Sequence, residues 1–288
     1  MFENMGWGKK SRLSQIVKSD GRAVMLAIDH GYFMGSTHGM ERPAEAIKNL
    51  LPYVDSLMLS PGIVRNSVKP DFGKGMVLRA SGGNTILDPD IDDEEIILPA
   101  EEAVKLNASA VAVSIFVGSE HSHQTIMNLT DMVNDASQFD LPVLGVTAVG
   151  KALKDKKEVR YLSHASRLAA ELGADIVKTY YCEGFEEIVA KTPVPIVVAG
   201  GPKLDTYEDV LTLCYNAIQM GAIGVDMGRN IWQSDYPAAI VQGVNAVIHK
   251  NFKVKEALEL VESLCNEETK RREDFLVTAQ DIADSKVH

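Results

Sequence analysis

Three stretches of this chain share one construction. A helix-forming run ends at glycine or asparagine and an apolar, β-branched segment follows at once, as in LNASAVAVSIF from Leu106, LGADIVKTYY from Leu172 and MGAIGVDMG from Met220. Gly173 and Gly221 suit the left-handed residue that closes a helix, and Asn107 tolerates the same conformation. A helix that stops and feeds straight into a buried strand is half of a parallel crossover unit, because parallel neighbours cannot be joined by a tight turn. Apolar runs at 24–28, 56–59, 76–80, 142–147 and 195–199 continue the series, giving about eight short buried strands. Helical patterns lie between most of them. Leu162, Ala165, Leu168, Ala169 and Leu172 mark one helix face, and Asp205 with Glu208 forms a capping signature ahead of residues 210–220.

About eight strand–helix units in 288 residues predict a closed (β/α)8 TIM barrel as a single domain. The rival is an open doubly wound sheet, which lacks support because no glycine-rich dinucleotide fingerprint follows the first strand. Residues 21–250 are expected to form the barrel. Residues 1–20 form an N-terminal extension expected to cover the barrel's lower mouth or a neighbouring subunit. Residues 251–288 form a C-terminal helical extension, with Ala257, Leu258, Leu260, Val261 and Leu264 on one face. The acidic stretch at 87–99, LDPDIDDEEIILP, reads as an insertion after the third strand whose charges face solvent.

Charge and cysteine usage narrow the function classes. With 29 Lys plus Arg against 40 Asp plus Glu, the net charge of −11 repels polyanions, so nucleic acid is not an expected partner and any phosphate site must be local. Cys182, Cys214 and Cys265 form no CxxC pair and read as reduced thiols of a cytoplasmic protein. No stretch approaches the roughly 18 apolar residues of a membrane span, so no membrane partner is expected.

In a barrel of this kind the reacting groups stand at the carboxyl ends of the strands. Those positions hold Asp29 and His30, Arg79, Ser114, Lys151, Lys178, Lys203, and Asp226 with Arg229. Strand alternation puts Ile176, Lys178 and Tyr180 on one face. If that face is the inner one, an ammonium enters the barrel, where burial favours the neutral amine that attacks carbonyls. Equally, Lys178 could pair with Asp29 or Asp226 in a layer of core charges, or point outward between helices. Asp29-His30-Gly31 offers a carboxylate and an imidazole for proton transfer, or merely a capped turn. Gly200-Gly201-Pro202-Lys203 and Gly228-Arg229-Asn230, after the last two strands, offer backbone N–H groups for a phosphate, or two tight turns. Arg79 joins them as an expected substrate-binding cation. His121 and His123 form an HxH without an evident third ligand, so no metal is expected. Cys182 reads as a small filler.

The runs MLAIDHGYF, VLRASGGNTIL, GADIVKTYY, PVPIVVAGGPK and GVDMGRNIWQSD resemble the class I aldolase family across residues 7–250. The resemblance implies that Lys178 is the catalytic lysine, that Asp29 and His30 line the reacting centre, and that Gly200, Gly201, Gly228 and Arg229 hold a phosphate. WGKKSRLSQI, LAIDHGYFMG and VTAVGK resemble the thiolase-type members, which cleave a carbon–carbon bond in a phosphorylated ketone with coenzyme A as co-substrate rather than bound cofactor. Members that are true aldolases carry Tyr-Pro-Arg-Gly after the fifth strand, whereas this chain has Thr147-Ala148-Val149-Gly150-Lys151 there. That departure weakens an ordinary aldol mechanism unless Tyr180, Tyr181 or His30 substitutes. The alternatives are a Schiff-base aldolase on a sugar phosphate and a non-catalytic sugar-phosphate binding protein. A homo-oligomer is expected from the terminal extensions.

Overall fold

The computed structural model describes residues 5–150, Leu153 and residues 158–285, with side chains through Glu273. Lys151, one of the strand-end candidates, lies outside the described residues. Eight parallel strands close into a barrel: β1 (Ala23–Ala27), β2 (Ser56–Leu59), β3 (Gly75–Arg79), β4 (Ala110–Val117), β5 (Val143–Val149), β6 (Ile176–Tyr180), β7 (Ile196–Ala199) and β8 (Gly224–Met227). They are hydrogen-bonded in chain order, with β1 pairing β8 to close the ring. Each expected apolar run is therefore a barrel strand.

Strand alternation divides the apolar residues into two cores. Met25, Ala27, Met58, Val77, Ala112, Leu144, Ile176 and Val197 fill the barrel interior. Their neighbours in sequence, such as Leu57, Leu78, Val111, Val143, Val177 and Val198, pack outward against the helices. Leu13, Ile16 and Val17 join the interior set, so the segment around the first helix, Trp7–Leu13, plugs the barrel's lower end. The side chains that enter the barrel there are apolar, which leaves the polar strand ends of the opposite mouth as the place for chemistry.

The αβ junctions have the expected mechanics. Asn107, Gly173 and Gly221 have φ of 60°, 100° and 98°, and each follows a helix directly. At Gly173 a Cβ would also lie 2.7 Å from Val133 Cγ1, so space as well as conformation requires glycine. The capping expectation is shifted by one residue. Thr206, not Asp205, caps the helix Tyr207–Gln219: its hydroxyl accepts from the Asp209 N–H while the Asp209 carboxylate accepts from the Thr206 N–H. Threonine and aspartate close the reciprocal pair as well as aspartate and glutamate would, and the sequence offers both sets in adjacent frames.

The insertion at 87–99 departs from expectation more strongly. Its chain returns to the barrel as a two-stranded antiparallel ribbon, Ser81–Gly82 with Glu95–Ile96, and carries Asp92 and Glu94 into buried positions. Those two charges do not face solvent, because hydroxyl and amide donors await Glu94 inside. Beyond the barrel, a single helix, Val254–Ser285, packs Ala257 and Val261 against the last barrel helix, Pro237–Lys250.

His249 ties the lower side together. Its Nδ1 lies 2.7 Å from Asp20 Oδ2 and its Nε2 2.9 Å from Asp55 Oδ2, while Asp55 also accepts from the Val24 N–H at 2.7 Å. The Asp55 hydrogen bond, aided by Asp20 and opposed by burial, raises the His249 pKa above its usual value. A group whose pKa is raised on folding contributes stability that is complete below its unfolded pKa, near 6.5, and is lost as pH rises through the folded value. The midpoint of thermal unfolding should therefore fall from pH 6 to pH 8.5 more steeply in the wild type than in His249→Gln. Parallel curves for the two proteins would remove this role.

Candidate active site

The barrel's register brings its strand-end charges to one level. Asp226 on β8 stands beside Met25 of β1, and Lys178 on β6 stands between Val146 of β5 and Val197 of β7. All belong to the inward-facing set, so the Lys178 amine enters the barrel rather than the helical layer. Its Nζ lies 2.8 Å from Asp226 Oδ2 and 3.6 Å from Met58 Sδ. The contact is close but poorly angled: neither Asp226 oxygen has a hydrogen bond of normal geometry among the described residues. The Lys178 amine is thus paired with Asp226 and also lines the cavity at the mouth.

A second pair lies alongside. Arg79, at the end of β3, donates from Nε to Asp29 Oδ2 at 3.0 Å, with Nη2 at 2.9 Å from the same oxygen, and from Nη1 to Ser114 Oγ at 2.6 Å. Arg79 is 5% exposed and Asp29 4%. Arg79 is therefore spent largely on Asp29 and Ser114, whereas the sequence placed it as a substrate-binding cation. It still borders the cavity.

The electrostatics follow from burial and these pairings. Burial alone would push Asp29 up, but the Arg79 charge and hydrogen bonds, with Lys178 nearby, hold it below the usual carboxylate range. Asp226 goes the other way: burial outweighs the attraction of Lys178 and, with the charge of Asp29, raises its pKa. His30 is pushed down to about 4, first by burial and then by the cations Lys178, Arg229 and Arg79, against the opposing effect of Asp29. Its imidazole is neutral at pH 7 and packs edge-on against Trp232, with ring centroids 5.4 Å apart.

The glycine loops complete the mouth. Gly200, Gly201, Gly228 and Arg229 border the same cavity as Lys178, Asp29 and His30, which encloses about 170 Å³. A Cβ on Gly228 would lie 2.5 Å from His30 Cε1 and 2.8 Å from the Ala27 carbonyl oxygen, so only glycine lets this loop approach the imidazole. Asn230 braces the two loops, donating from Nδ2 to the Gly200 and Pro202 carbonyls at 2.8 and 3.2 Å and accepting from the Leu204 N–H at 2.7 Å. Arg229 donates to the Gly201 carbonyl at 3.1 Å, and its Nε is buried without a hydrogen-bond partner among the described residues. Lys203 is not brought here. Its amine donates to the Gln233 carbonyl at 2.7 Å and borders a separate depression beside Thr206 and Tyr207.

Several cavity residues had no signal in the sequence reading. Tyr32 borders the cavity with its hydroxyl donating to Glu94 Oε1 at 2.7 Å, and Glu94 comes from the insertion that was expected to be solvated. The DHGY run held the tyrosine, but nothing there announced a partner 62 residues away. Of the proposed tyrosine substitutes, Tyr180 borders the cavity, whereas the Tyr181 hydroxyl donates to Met220 Sδ at 3.4 Å. His121 sits 3.3 Å from Asp93, and among the described residues no group of three His, Cys, Asp or Glu side chains is placed to hold a metal ion. Cys182 is buried in the helical core. A larger groove, about 910 Å³, runs between the C-terminal helix and the helices Pro43–Lys48 and Pro237–Lys250, and none of the strand-end groups reaches it.

A lysine inside a (β/α)8 barrel, beside two buried carboxylates and beneath two glycine loops, defines a class I aldolase type of site. The model of the DeoC/LacD family aldolases matches residues 23–234, and the chain belongs to that family. Among its relatives, the 3-hydroxy-5-phosphonooxypentane-2,4-dione thiolase of Yersinia pseudotuberculosis is 47% identical over 259 residues, 89% of this chain and 88% of the relative. An archaeal fructose 1,6-bisphosphate aldolase superposes with a TM-score of 0.76 at 26% identity, covering 84% of this chain and 99% of its own. A second archaeal fructose-1,6-bisphosphate aldolase structure, whose catalytic lysine is covalently bound to a carbinolamine intermediate, superposes at 0.74 with 26% identity, covering 83% and 99%. No helix among the described residues is long and apolar enough to cross a membrane.

Proposed function

We propose that this protein is a lysine-dependent carbon–carbon lyase and acyltransferase of the thiolase type. It cleaves 3-hydroxy-5-phosphonooxypentane-2,4-dione or a close phosphorylated diketone with coenzyme A, yielding dihydroxyacetone phosphate and acetyl-CoA. The observation that carries this reading is that the Lys178 amine opens into the same cavity as Gly200, Gly201, Gly228 and Arg229. Glycine loops and a guanidinium bordering the same cavity as an amine suit a ketone with a phosphate close to its carbonyl.

Asp226 takes the proton of the Lys178 ammonium, and the amine adds to the substrate ketone. Loss of water gives an iminium, the thiol adds to the neighbouring acyl carbonyl, and collapse of that adduct breaks the carbon–carbon bond, whose electron pair passes to the iminium. The acyl fragment leaves as the thioester, and the enamine left on Lys178 is protonated and hydrolysed. The neutral His30 imidazole is available as a base, while Asp29, held ionised by Arg79, keeps the mouth electrostatically balanced as the iminium forms.

Thr147 supports the departure from true aldolases. It stands where those enzymes carry tyrosine, and its hydroxyl donates to the Lys178 carbonyl at 3.3 Å rather than serving the cavity as a phenol. The second reading, a Schiff-base aldolase on a sugar phosphate, is favoured by the 26% identity to archaeal fructose 1,6-bisphosphate aldolases. A panel of phosphorylated ketones assayed with and without coenzyme A separates them: acetyl-CoA formation from the diketone supports the thiolase, and cleavage independent of coenzyme A supports the aldolase. Binding across the panel with no turnover would leave a sugar-phosphate binding protein. The reduced cysteines and acidic surface suit a cytoplasmic enzyme, and the terminal extensions suit a homo-oligomer.

A further inference from the structure

Tyr32 is seated by the insertion rather than by the barrel. Its ring rests on Gly82 of the two-residue ribbon, where a Cβ would lie 3.1 Å from Tyr32 Cδ2, and the Arg79 guanidinium lies 5.2 Å from the ring centroid. The phenol donates to Glu94 Oε1 at 2.7 Å, which turns the remaining lone pairs of the phenol oxygen away from that carboxylate. Glu94 is 0% exposed, accepts also from Ser81 Oγ at 2.5 Å and Asn84 Nδ2 at 3.3 Å, and has no cation in direct contact among the described residues. A buried carboxylate is costly to maintain, and one behind a cavity-lining phenol asks for a use beyond packing. Both Tyr32 and Glu94 border the cavity that holds Lys178.

We infer that Tyr32 and Glu94 form the proton relay of this site, replacing the tyrosine that the fifth strand lacks. The inference rests on the proposed lysine chemistry and names the group that protonates the enamine. As the enamine carbon takes the proton of the Tyr32 hydroxyl, Glu94 returns to the phenol oxygen the proton it received when the thiol attacked, so a carbon–hydrogen bond forms and no phenolate accumulates. The proton that the thiol gives up on attack enters Glu94 by the same route in reverse. One proton is taken in and one is returned per turnover, and no oxidant or other co-reactant is needed. Burial, with the charges of Glu94 and Asp29, raises the Tyr32 pKa well above its usual value against the effect of Arg79, which fits a phenol that relays protons without ionising. Tyr32 is then a catalytic residue, and Glu94 acts through it.

Dihydroxyacetone phosphate tests the relay apart from the lysine. Bound to Lys178 as an iminium, it exchanges a carbon-bound proton for deuterium through the enamine, which proton magnetic resonance follows in heavy water. Borohydride reduction of the same mixture traps the iminium on Lys178. In Tyr32→Phe, which keeps the ring and its packing, trapping should persist while exchange falls at least about 100-fold, the range for loss of a general acid–base group. Glu94→Gln should show the same split. Wild-type exchange rates in Tyr32→Phe would overturn the relay and leave His30 as the acid–base group. Absence of trapping in the wild-type protein would instead strike the lysine chemistry on which the relay rests.

Discussion

Replacing Lys178 by arginine is expected to abolish turnover, with a loss of at least about 1,000-fold, and to abolish borohydride trapping while the protein remains folded. Arginine keeps the positive charge that Asp226 requires, so the buried carboxylate is not orphaned and the barrel interior stays balanced. It cannot add to a carbonyl, because its guanidinium is protonated at every working pH. The substitution therefore isolates the nucleophile from the charge. Lys178→Met is the complementary change: it removes the cation 2.8 Å from Asp226, whose pKa burial already raises, and that carboxyl should bind a proton. Peptide mass analysis after reduction with substrate should place the adduct on Lys178 in the wild type and nowhere in either variant. Turnover by Lys178→Arg at close to the wild-type rate would show that the residue acts as a charge alone.

The barrel was legible because its signal is repeated and local. Asn107, Gly173 and Gly221 each announce a helix end and a strand start, and the apolar runs are long enough to be buried on both faces. Lys178 was legible because a lone ammonium among Ile176, Val177 and Thr179 must either enter the barrel or interrupt the helical layer. Three features escaped for one physical reason, which is that they depend on contacts remote in sequence. Glu94 resembles its acidic neighbours until the ribbon folds it onto Tyr32 and Ser81. Arg79 resembles a phosphate ligand until Asp29, 50 residues earlier, claims it. Lys203 follows the glycine loop, but the loop's turn carries its amine to the Gln233 carbonyl.

The same remoteness makes Arg79 the position where the largest loss of stability is expected. Arg79→Leu leaves the Asp29 carboxylate buried without its partner and Ser114 without its donor, and breaking a buried pair from one side costs about 3–5 kcal/mol. The sign of the pH dependence identifies the cause. In the wild type, the folded-state pKa of Asp29 is depressed, so its contribution is present above the unfolded value near 3.9 and is lost as pH falls through the folded one. Without the Arg79 charge and hydrogen bonds, burial is opposed only by the nearby charges of His30 and Lys178, and the Asp29 pKa should rise above the unfolded value. Stability from that group is then complete at low pH and lost as pH rises through the raised value. The gap in unfolding free energy between wild type and Arg79→Leu should therefore be widest at pH 7 to 8 and narrow toward pH 5, where the orphaned carboxyl takes up a proton. Adding Asp29→Asn to Arg79→Leu removes the titrating group, so the double variant should be more stable than the single one at pH 7 and should lose the narrowing. A pH-independent gap, or a double variant weaker than Arg79→Leu at neutral pH, would mean that Arg79 stabilises the mouth by packing against Tyr32 rather than by neutralising Asp29.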